Sequence, residues 1–427
     1  MKYQHDEAIC MQCIEDEFLR ELVFEKNKNQ TCIECGKNNY SISIKELAEY
    51  IDTFIREHFR HGTYERRFNI EDDGYWDEQG GEDLISIISI ICGQDFKCVD
   101  DIAQILIEQD VYDVRDGEDP FYGLDIGYEE KEIYLDDIHN SWQQIENEIK
   151  TKRRFFSIRA QEFFEWLFDD IEHLHIYDHQ SDPAERRNSV IYELPVDTLL
   201  FRARRADTLE ICKQYIDSAV KNLFPPPAKY AKEGRMNAKG VSIFYAATEK
   251  ETCIAEMRTS IGSFVVLGQF KTVEPIRILD FSYFEKAFWK NNLLSYFQDD
   301  FEEQVKRRKF LKEIHRLISK PIISGYEDGY LMTQALAEYI AYVYPKNIDG
   351  LLFKSTQHDK GSNIVIFSKK NNSWRNNQEG FSIFPVELVG NSLEIHKIVG
   401  IAYDAKKINF SNSDNNFYIE RDYNEDY

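Results

Sequence analysis

The sequence predicts an α+β protein: a mainly helical N-terminal region headed by a small cysteine ribbon, then a domain in which short strands alternate with helices. Three observations predict it. Two Cys-x2-Cys pairs stand in the first 40 residues, where little else offers an apolar core. From Ser43 to about His175, apolar residues recur at spacings of three and four, the period of a helix face. After about Leu199 the apolar runs shorten, become β-rich and are separated by helical stretches, the pattern of an α+β layer architecture.

Taken in order, the ribbon comes first. Cys10 and Cys13 form one pair and Cys32 and Cys35 a second, with 18 residues between them. Two such knuckles let four thiolates close a tetrahedron around a structural Zn²⁺, leaving no open position for chemistry; the plain alternative is two unrelated pairs of reduced thiols. Cys92, Cys98, Cys212 and Cys253 lack the pattern and read as buried packing. Ser43 and Glu46 make a capping-box pair at the start of a helix carrying Ile44, Leu47, Ala48, Ile51, Phe54 and Ile55. A second helix is expected over Val99–Ile107. A long one is expected over Ser141–His175, with Trp142, Ile145, Ile149, Phe156, Phe163, Trp166, Leu167 and Ile171 toward the core. The acidic stretches Glu71–Asp83 and Glu108–Asp137 read as solvated loops.

The polar run Asp178–Ser189, with Pro183 and no periodicity, marks a domain boundary. Beyond it, strands are expected near Thr198–Phe201, Val241–Ala246, Phe264–Phe270, Ile276–Leu279, Leu351–Phe353 and Ile364–Phe367, and helices over Asp299–Ser319 and Met332–Val343. The domains are thus 1–40 (ribbon), 41–180 (helical), 190–410 (α+β) and 411–427, an Asn- and acid-rich tail expected to fray.

Composition narrows the function. The chain has 427 residues, enough for two or three domains, and 42% of them are hydrophobic. Its 76 acidic and 52 basic side chains give a formal net charge of -24, which repels phosphate backbones and anionic membranes at long range. Nucleic acid as a partner would therefore need a local basic patch. The longest apolar run, Leu84–Cys92, is about half a bilayer crossing. His5, Asp6 and Glu7 stand where a signal peptide would be basic and then apolar, so a cytoplasmic location is expected.

The chemistry gathers in three blocks. The first is Phe201-Arg202-Ala203-Arg204-Arg205, at the end of a β-like run. The second is the turn Gly234-Arg235-Met236-Asn237 with Gly240, then a strand with Phe244-Tyr245, then a helix bearing Glu256 that Thr248 and Glu251 would cap. The third is Gln334-Ala335-Leu336-Ala337-Glu338, followed by Asp349-Gly350 through Ser355 and by Gly361-Ser362-Asn363. Each residue alone has a bland reading: surface charge for the arginines, core aromatic for Tyr245, solvated helix for Glu256, turn for Ser355. No Walker or dinucleotide-fold glycine signature is present.

Together, over about 200 residues, the blocks resemble the RES family, named for an arginine, a glutamate and a serine. The resemblance implies a fold similar to ADP-ribosyltransferase toxins and an activity that cleaves NAD. It places catalysis on Glu256, Arg202, Tyr245 and Ser355, and substrate binding on Arg202, Arg235, Tyr245, Asn237 and Ser355. The roles are chemically coherent. Arginine forks bind a pyrophosphate bidentately, and a tyrosine face stacks on a cationic nicotinamide ring. A carboxylate at Glu256 stabilises the oxocarbenium-like charge that develops as the nicotinamide–ribose bond breaks. Ser355 is expected to hydrogen-bond substrate, since His358 gives only a weak Ser-x-x-His dyad. The sequence departs from the family in two insertions, one ending near Pro225-Pro226-Pro227 and one over about Phe281–Ser319, which leave the acceptor open: water, phosphate or a protein. The resemblance also implies a toxin restrained by a DNA-binding antitoxin of the Xre class.

A rival reading concerns the N-terminal half. Arg56 and His61 make an Arg-x4-His spacing at the end of the first helix, similar to the motif of HEPN ribonucleases, and HEPN-like helical domains precede RES domains. Glu57 stands where a small polar residue is expected. A third reading makes the ribbon and helices a sensor or docking platform.

Overall fold

The computed structural model describes residues 7–69, 74–113, 115, 117–177, 187–285, 294–319, 330–358, 361–368, 384–401, 410–413 and 416–419. The chain divides into two compact units. The first comprises Met1–Asn188 and Tyr283–Leu317, the second Ser189–Ser282 and Ile318–Tyr427. The division falls at the end of the polar run Asp178–Ser189, of which 178–186 lie outside the described residues.

In the first unit, strands Ala8–Cys10, Asn29–Thr31 and Asn38–Ser43 form a small antiparallel sheet with Asn38–Ser43 in the middle. The helix Glu17–Lys26, capped by Asp16, lies between the cysteine pairs. Its Leu19 and Val23, with Ile9, Ile14 and Ile42, share one core with Leu47, Ile51, Ile55, Ile87, Ile91, Ile102 and Leu106. The ribbon is therefore continuous with the helical region and draws on more apolar side chains than its charged sequence advertises. Ser43 and Glu46 form both bonds of the capping box on helix Ile44–His58. Helices Leu84–Cys92 and Val99–Gln109 pack on it.

Two expectations change here. The long helix is two helices, Asp136–Thr151 and Ile158–Leu167. Lys152 leaves the helical region (φ -130°, ψ -64°), and Ser157 caps the second helix by accepting from Ala160 N. Phe156, expected in the core, stands in the break and is 87% exposed; periodicity reads through a six-residue break, 152–157, that only the caps reveal. The second acidic stretch is exposed along its described residues from 111 to 119 but is anchored to the core at Asp110, Tyr122 and Tyr128. Tyr122 and Tyr128 are buried, strand Tyr128–Glu130 pairs with Phe59–His61, and the Asp110 side chain is 2% exposed. The first one contains strand Gly74–Gln79, paired with Tyr64–Asn69.

The expected insertion over Phe281–Ser319 sends Tyr283–Leu317 into this first unit. Tyr296, Phe297, Phe301 and Val305 join the core already named. Phe310, on helix Phe301–Ser319, meets the rings of Trp142 and Phe163 at 5.5 and 5.7 Å.

The second unit is built on a nine-stranded sheet. Eight strands run in the order Ile191–Leu194, Ile276–Asp280, Gly350–Lys354, Ser362–Phe367, Ile243–Ala247, Leu199–Ala206, Phe264–Thr272 and Val386–Leu388; Glu394–Lys397 also pairs with Phe264–Thr272. Only Ile276–Asp280 and Gly350–Lys354 run parallel among these pairings. Every expected strand is present within a residue or two, Leu199–Ala206 being longer because it continues through the arginines. Helices Lys250–Glu256 and Leu331–Tyr342 follow their expected places. Residues 410–413 and 416–419 form a two-stranded hairpin where a frayed tail was expected, and 420–427 lie outside the described residues.

Candidate active site

Three neighbouring strands bring the third block to the second. Asn363 is the second residue of strand Ser362–Phe367 and lies opposite Phe353 on one side and Ala247 on the other. Ser355 follows Gly350–Lys354 directly, and helix Lys250–Glu256, starting just beyond Ala247, ends on Glu256. The three polar side chains meet. Ser355 Oγ donates to Glu256 Oε1 at 2.5 Å, and Asn363 Nδ2 donates to the same oxygen at 2.8 Å. Gln357 N in turn donates to Ser355 Oγ at 3.1 Å, fixing the hydroxyl's orientation. Glu256 Oε2 makes no hydrogen bond with the described residues, so only one of the two carboxylate oxygens is held.

The helix start differs from expectation. Glu249, not Thr248, precedes it, and its carboxylate accepts from Thr248 Oγ1, Thr252 Oγ1 and Ser362 N, tying the helix to the strand that carries Asn363. His358 Nδ1 lies 2.9 Å from Thr252 Oγ1, so its partner is a threonine and the Ser355–His358 dyad is absent. Gly361 passes so close to Thr252 that a Cβ would sit 1.8 Å from its Oγ1, which is why no side chain fits there.

The turn of the second block is held by Tyr245 and Asn237. Tyr245 OH donates to Asn237 Oδ1 at 2.8 Å and accepts from Met236 N at 2.9 Å. Asn237 is buried, and its Nδ2 serves the carbonyls of Lys232, Ala238 and Val241. Its polar atoms are thus spent on the turn. Gly234 is a close approach, since a Cβ would stand 3.0 Å from Tyr245 OH, and Gln334 donates to its carbonyl at 2.8 Å. Burial raises the Tyr245 phenol to about 12, against the Met236 N–H that lowers it.

This turn presents Arg235. Its Nη1 donates to the carbonyls of Ile318 and Ser319, while Nε and Nη2 make no hydrogen bond with the described residues. Burial lowers its guanidinium, and the charge of Glu256 acts against that, placing the two groups in electrostatic reach. Arg202 sits deeper. It is 7% exposed, donates through Nε to Leu223 O at 2.6 Å and through Nη1 to Tyr245 O, and lies over the Phe244 ring. Burial lowers it to about 9, so it stays charged at neutral pH. Arg204, to which the sequence reading gave no role, repels Arg202 and gives Nε to Asn222 O. Neither Arg202, Arg204 nor Arg235 has a salt bridge among the described residues. In a chain of net charge -24, these are three half-buried or buried cations without a carboxylate partner among the described residues.

Asn363 was quoted in the sequence without a role. The available signal was a polar pair directly before the apolar strand Ile364–Phe367, a position that puts side chains at a sheet's end.

In the first unit, the four Sγ atoms of Cys10, Cys13, Cys32 and Cys35 lie within 4.8 Å of one another. The Cys10 Sγ is 3.7 Å from both Cys13 and Cys35, close to the roughly 3.8 Å edge of a tetrahedron with 2.3 Å Zn–S bonds. Cys10 N donates to Cys32 Sγ at 3.3 Å, an added support for a thiolate. The donor set and spacing fit Zn²⁺.

Arg56 and His61 are engaged elsewhere. Arg56 bonds Asp52 at 2.8 Å and Asp110 at 2.5 Å and lies over the rings of Phe121 and Tyr122. His61 Nε2 pairs with Phe121 O at 2.9 Å, and its ring stacks on Phe121. Both act as struts between the helix and the second acidic stretch.

Comparison with known proteins agrees with the second unit's blocks. A family model described as the RES domain matches residues 199–382. No curated protein matches the chain, and no solved structure does.

Proposed function

We propose that this RES domain, of a family associated with NAD-related toxin activity, cleaves the nicotinamide–ribose bond of NAD with water or phosphate as acceptor. The observation that carries the reading is the pairing of a half-anchored carboxylate with uncompensated guanidiniums. NAD is a dianionic pyrophosphate joined to a cationic leaving group, and it needs both.

Arg235, with Nε and Nη2 uncommitted, takes the pyrophosphate. Arg202 and Arg204 add positive potential from behind and hold the strands they bond. Tyr245 sets the Arg235 turn through its hydroxyl. As the C–N bond breaks, its electron pair leaves with nicotinamide and positive charge grows on the ribose. The free Oε2 of Glu256 stabilises that charge and accepts the proton of an attacking water, which is then released to solvent. Ser355 and Asn363 keep Oε1 occupied, so the other oxygen faces the reaction. The products are nicotinamide and ADP-ribose, or its 1-phosphate when phosphate attacks. A protein acceptor would use the same carboxylate. The Cys10, Cys13, Cys32 and Cys35 cluster holds a structural Zn²⁺ in this reading, outside the chemistry.

The test is incubation of the purified full chain with NAD, with and without phosphate, followed by product identification. Nicotinamide release at a rate that depends on Glu256 supports the reading. Intact NAD under both conditions sinks it. Radiolabelled ADP-ribose appearing on a protein, with no free ADP-ribose, moves the acceptor to protein.

A further inference from the structure

Three features of the first unit have no part in that chemistry, and they fit one another. The break between helices Asp136–Thr151 and Ile158–Leu167 is a protruding basic-aromatic loop. Lys152, Arg153 and Arg154 are exposed, Phe155 is 82% exposed, and Phe156 and Ile158 are 87% and 63% exposed. Neither Arg153 nor Arg154 has an ion pair among the described residues. Two exposed phenylalanines beside two arginines without an ion pair among the described residues make a patch that favours burial on docking.

The second feature is a cavity of about 450 Å³ in the same unit, lined by Ile133, Tyr134 and Phe301 and by the carboxylates of Glu57, Glu132 and Asp136. Lys131 and Lys306 also line it, but Glu130, Asp137 and Glu302 join the three carboxylates already named, so the cavity's excess charge is negative. Its lining sets a few apolar side chains among an excess of carboxylates, groups that the basic-aromatic Arg153–Phe156 loop can meet.

The third feature decides the occupant. Cavity and loop stand at opposite ends of helix Asp136–Thr151, whose 16 residues span about 24 Å, so a loop held by the capped helix after it does not fill its own cavity. The exposed side of that helix carries Asn140, Gln143, Gln144, Asn147 and Thr151, with Asp136 and Asp137 at its N-terminal end, Lys150 near its C-terminal end and Arg159 donating to Gln144 at 3.0 Å. Two such faces set antiparallel bring the acidic end of each helix to the basic end of the other. If they do so about a two-fold axis, each loop arrives at the other copy's cavity.

We infer that the chain pairs with a second copy of itself through helix Asp136–Thr151, with the Arg153–Phe156 loop of each copy seated in the acidic cavity of the other. The contact is isologous and closed, so it ends at a dimer. An anionic membrane or a single-stranded nucleic acid would use the loop but leave the cavity and the helix face unexplained, and the net charge of -24 opposes both.

The experiment is sedimentation and light scattering of the full chain at physiological salt. The expected mass is twice the 50.5 kDa of one chain. Phe155→Ser and Phe156→Ser, both at exposed sites that should leave folding intact, should each weaken pairing by on the order of thirtyfold. The charge-reversal pair Arg153→Glu/Arg154→Glu should be monomeric, and so should Glu132→Lys/Asp136→Lys. An equimolar mixture of these two should recover a dimer, because both loop–cavity contacts regain opposite charge only in the mixed pair; circular dichroism checks that each double variant is folded. A parent chain that stays monomeric across the concentration range overturns the proposal, as does a dimer indifferent to the reversals. So does a monomer whose loop binds phosphatidylserine vesicles or single-stranded RNA and loses them on Phe155→Ser.

Discussion

Glu256 shows how a residue's neighbours divide its two oxygens. With Ser355 and Asn363 both on Oε1, substitution at either end tests a different thing. Glu256→Gln keeps the shape and removes the charge; kcat for nicotinamide release should fall on the order of a hundredfold to a thousandfold with melting temperature little changed. Arg235→Lys should instead raise KM, because an ammonium cannot reproduce the guanidinium fork left open beside Glu256. Arg202→Lys should behave as a stability variant. Its donors serve two backbone carbonyls, and leaving them unsatisfied costs on the order of 2 kcal/mol, read as a lower melting temperature with KM nearly intact. Sequence pattern singles out Glu256 and Ser355, and the structure brings these two into hydrogen-bond contact. It does not show that Arg202 donates to carbonyls through both Nε and Nη1 while Arg235 uses only Nη1, because such bonding depends on segments far apart in sequence.

At the scale of elements, what the sequence disclosed was whatever local chemistry enforces. The Ser43–Glu46 box, the strand Ile364–Phe367 and the cysteine knuckles are set by neighbours within a few positions. The break at Phe155-Phe156 was not legible, because apolar residues keep the helical period on both sides of it and only Ser157's cap interrupts the chain. Nor was the strut under Arg56, which joins helix Ile44–His58 to Asp110, 54 positions on. That strut makes a pH prediction. Burial alone would raise the Asp110 carboxyl, but Arg56 and the N–H groups of Tyr122 and Phe121 hold it below its ordinary value. A depressed carboxylate contributes stability that is fully present above its unfolded value, about 3.9, and lost as pH falls through the folded one. Asp110→Asn should therefore lower the melting temperature at pH 7, and the gap from the parent should close below about pH 4. The ribbon gives a metal prediction: one Zn²⁺ per chain by metal analysis. Cys13→Ser should release it and loosen the core that Ile9, Ile14 and Ile42 share with the helices.

At the scale of the whole molecule, sequence order and spatial order part company. The segment matched by the RES model includes Tyr283–Leu317, yet these residues complete the core of the other unit. Tyr296, Phe297, Phe301 and Val305 are each no more than 6% exposed and pack in the cluster that contains Leu47, Ile51 and Ile55. Phe301 stacks on Tyr296 at 4.5 Å and meets the His58 ring edge-on at 4.7 Å. A length of chain inside one domain's sequence thus supplies load for the other, which neither periodicity nor block order could show. The consequence is that Phe301→Ala should act at a distance in sequence. Removing a buried Phe typically costs about 3–5 kcal/mol, since the lost burial is joined by the cavity left behind. That cost should fall on the first unit. Hydrogen exchange should quicken in helix Ile44–His58 and in the second acidic stretch around Tyr128, while the sheet strands Ile243–Ala247 and Ser362–Phe367 keep the parental protection. The reverse pattern, with the sheet loosened and Ile44–His58 untouched, would mean that Tyr283–Leu317 belongs energetically with the domain whose sequence it interrupts.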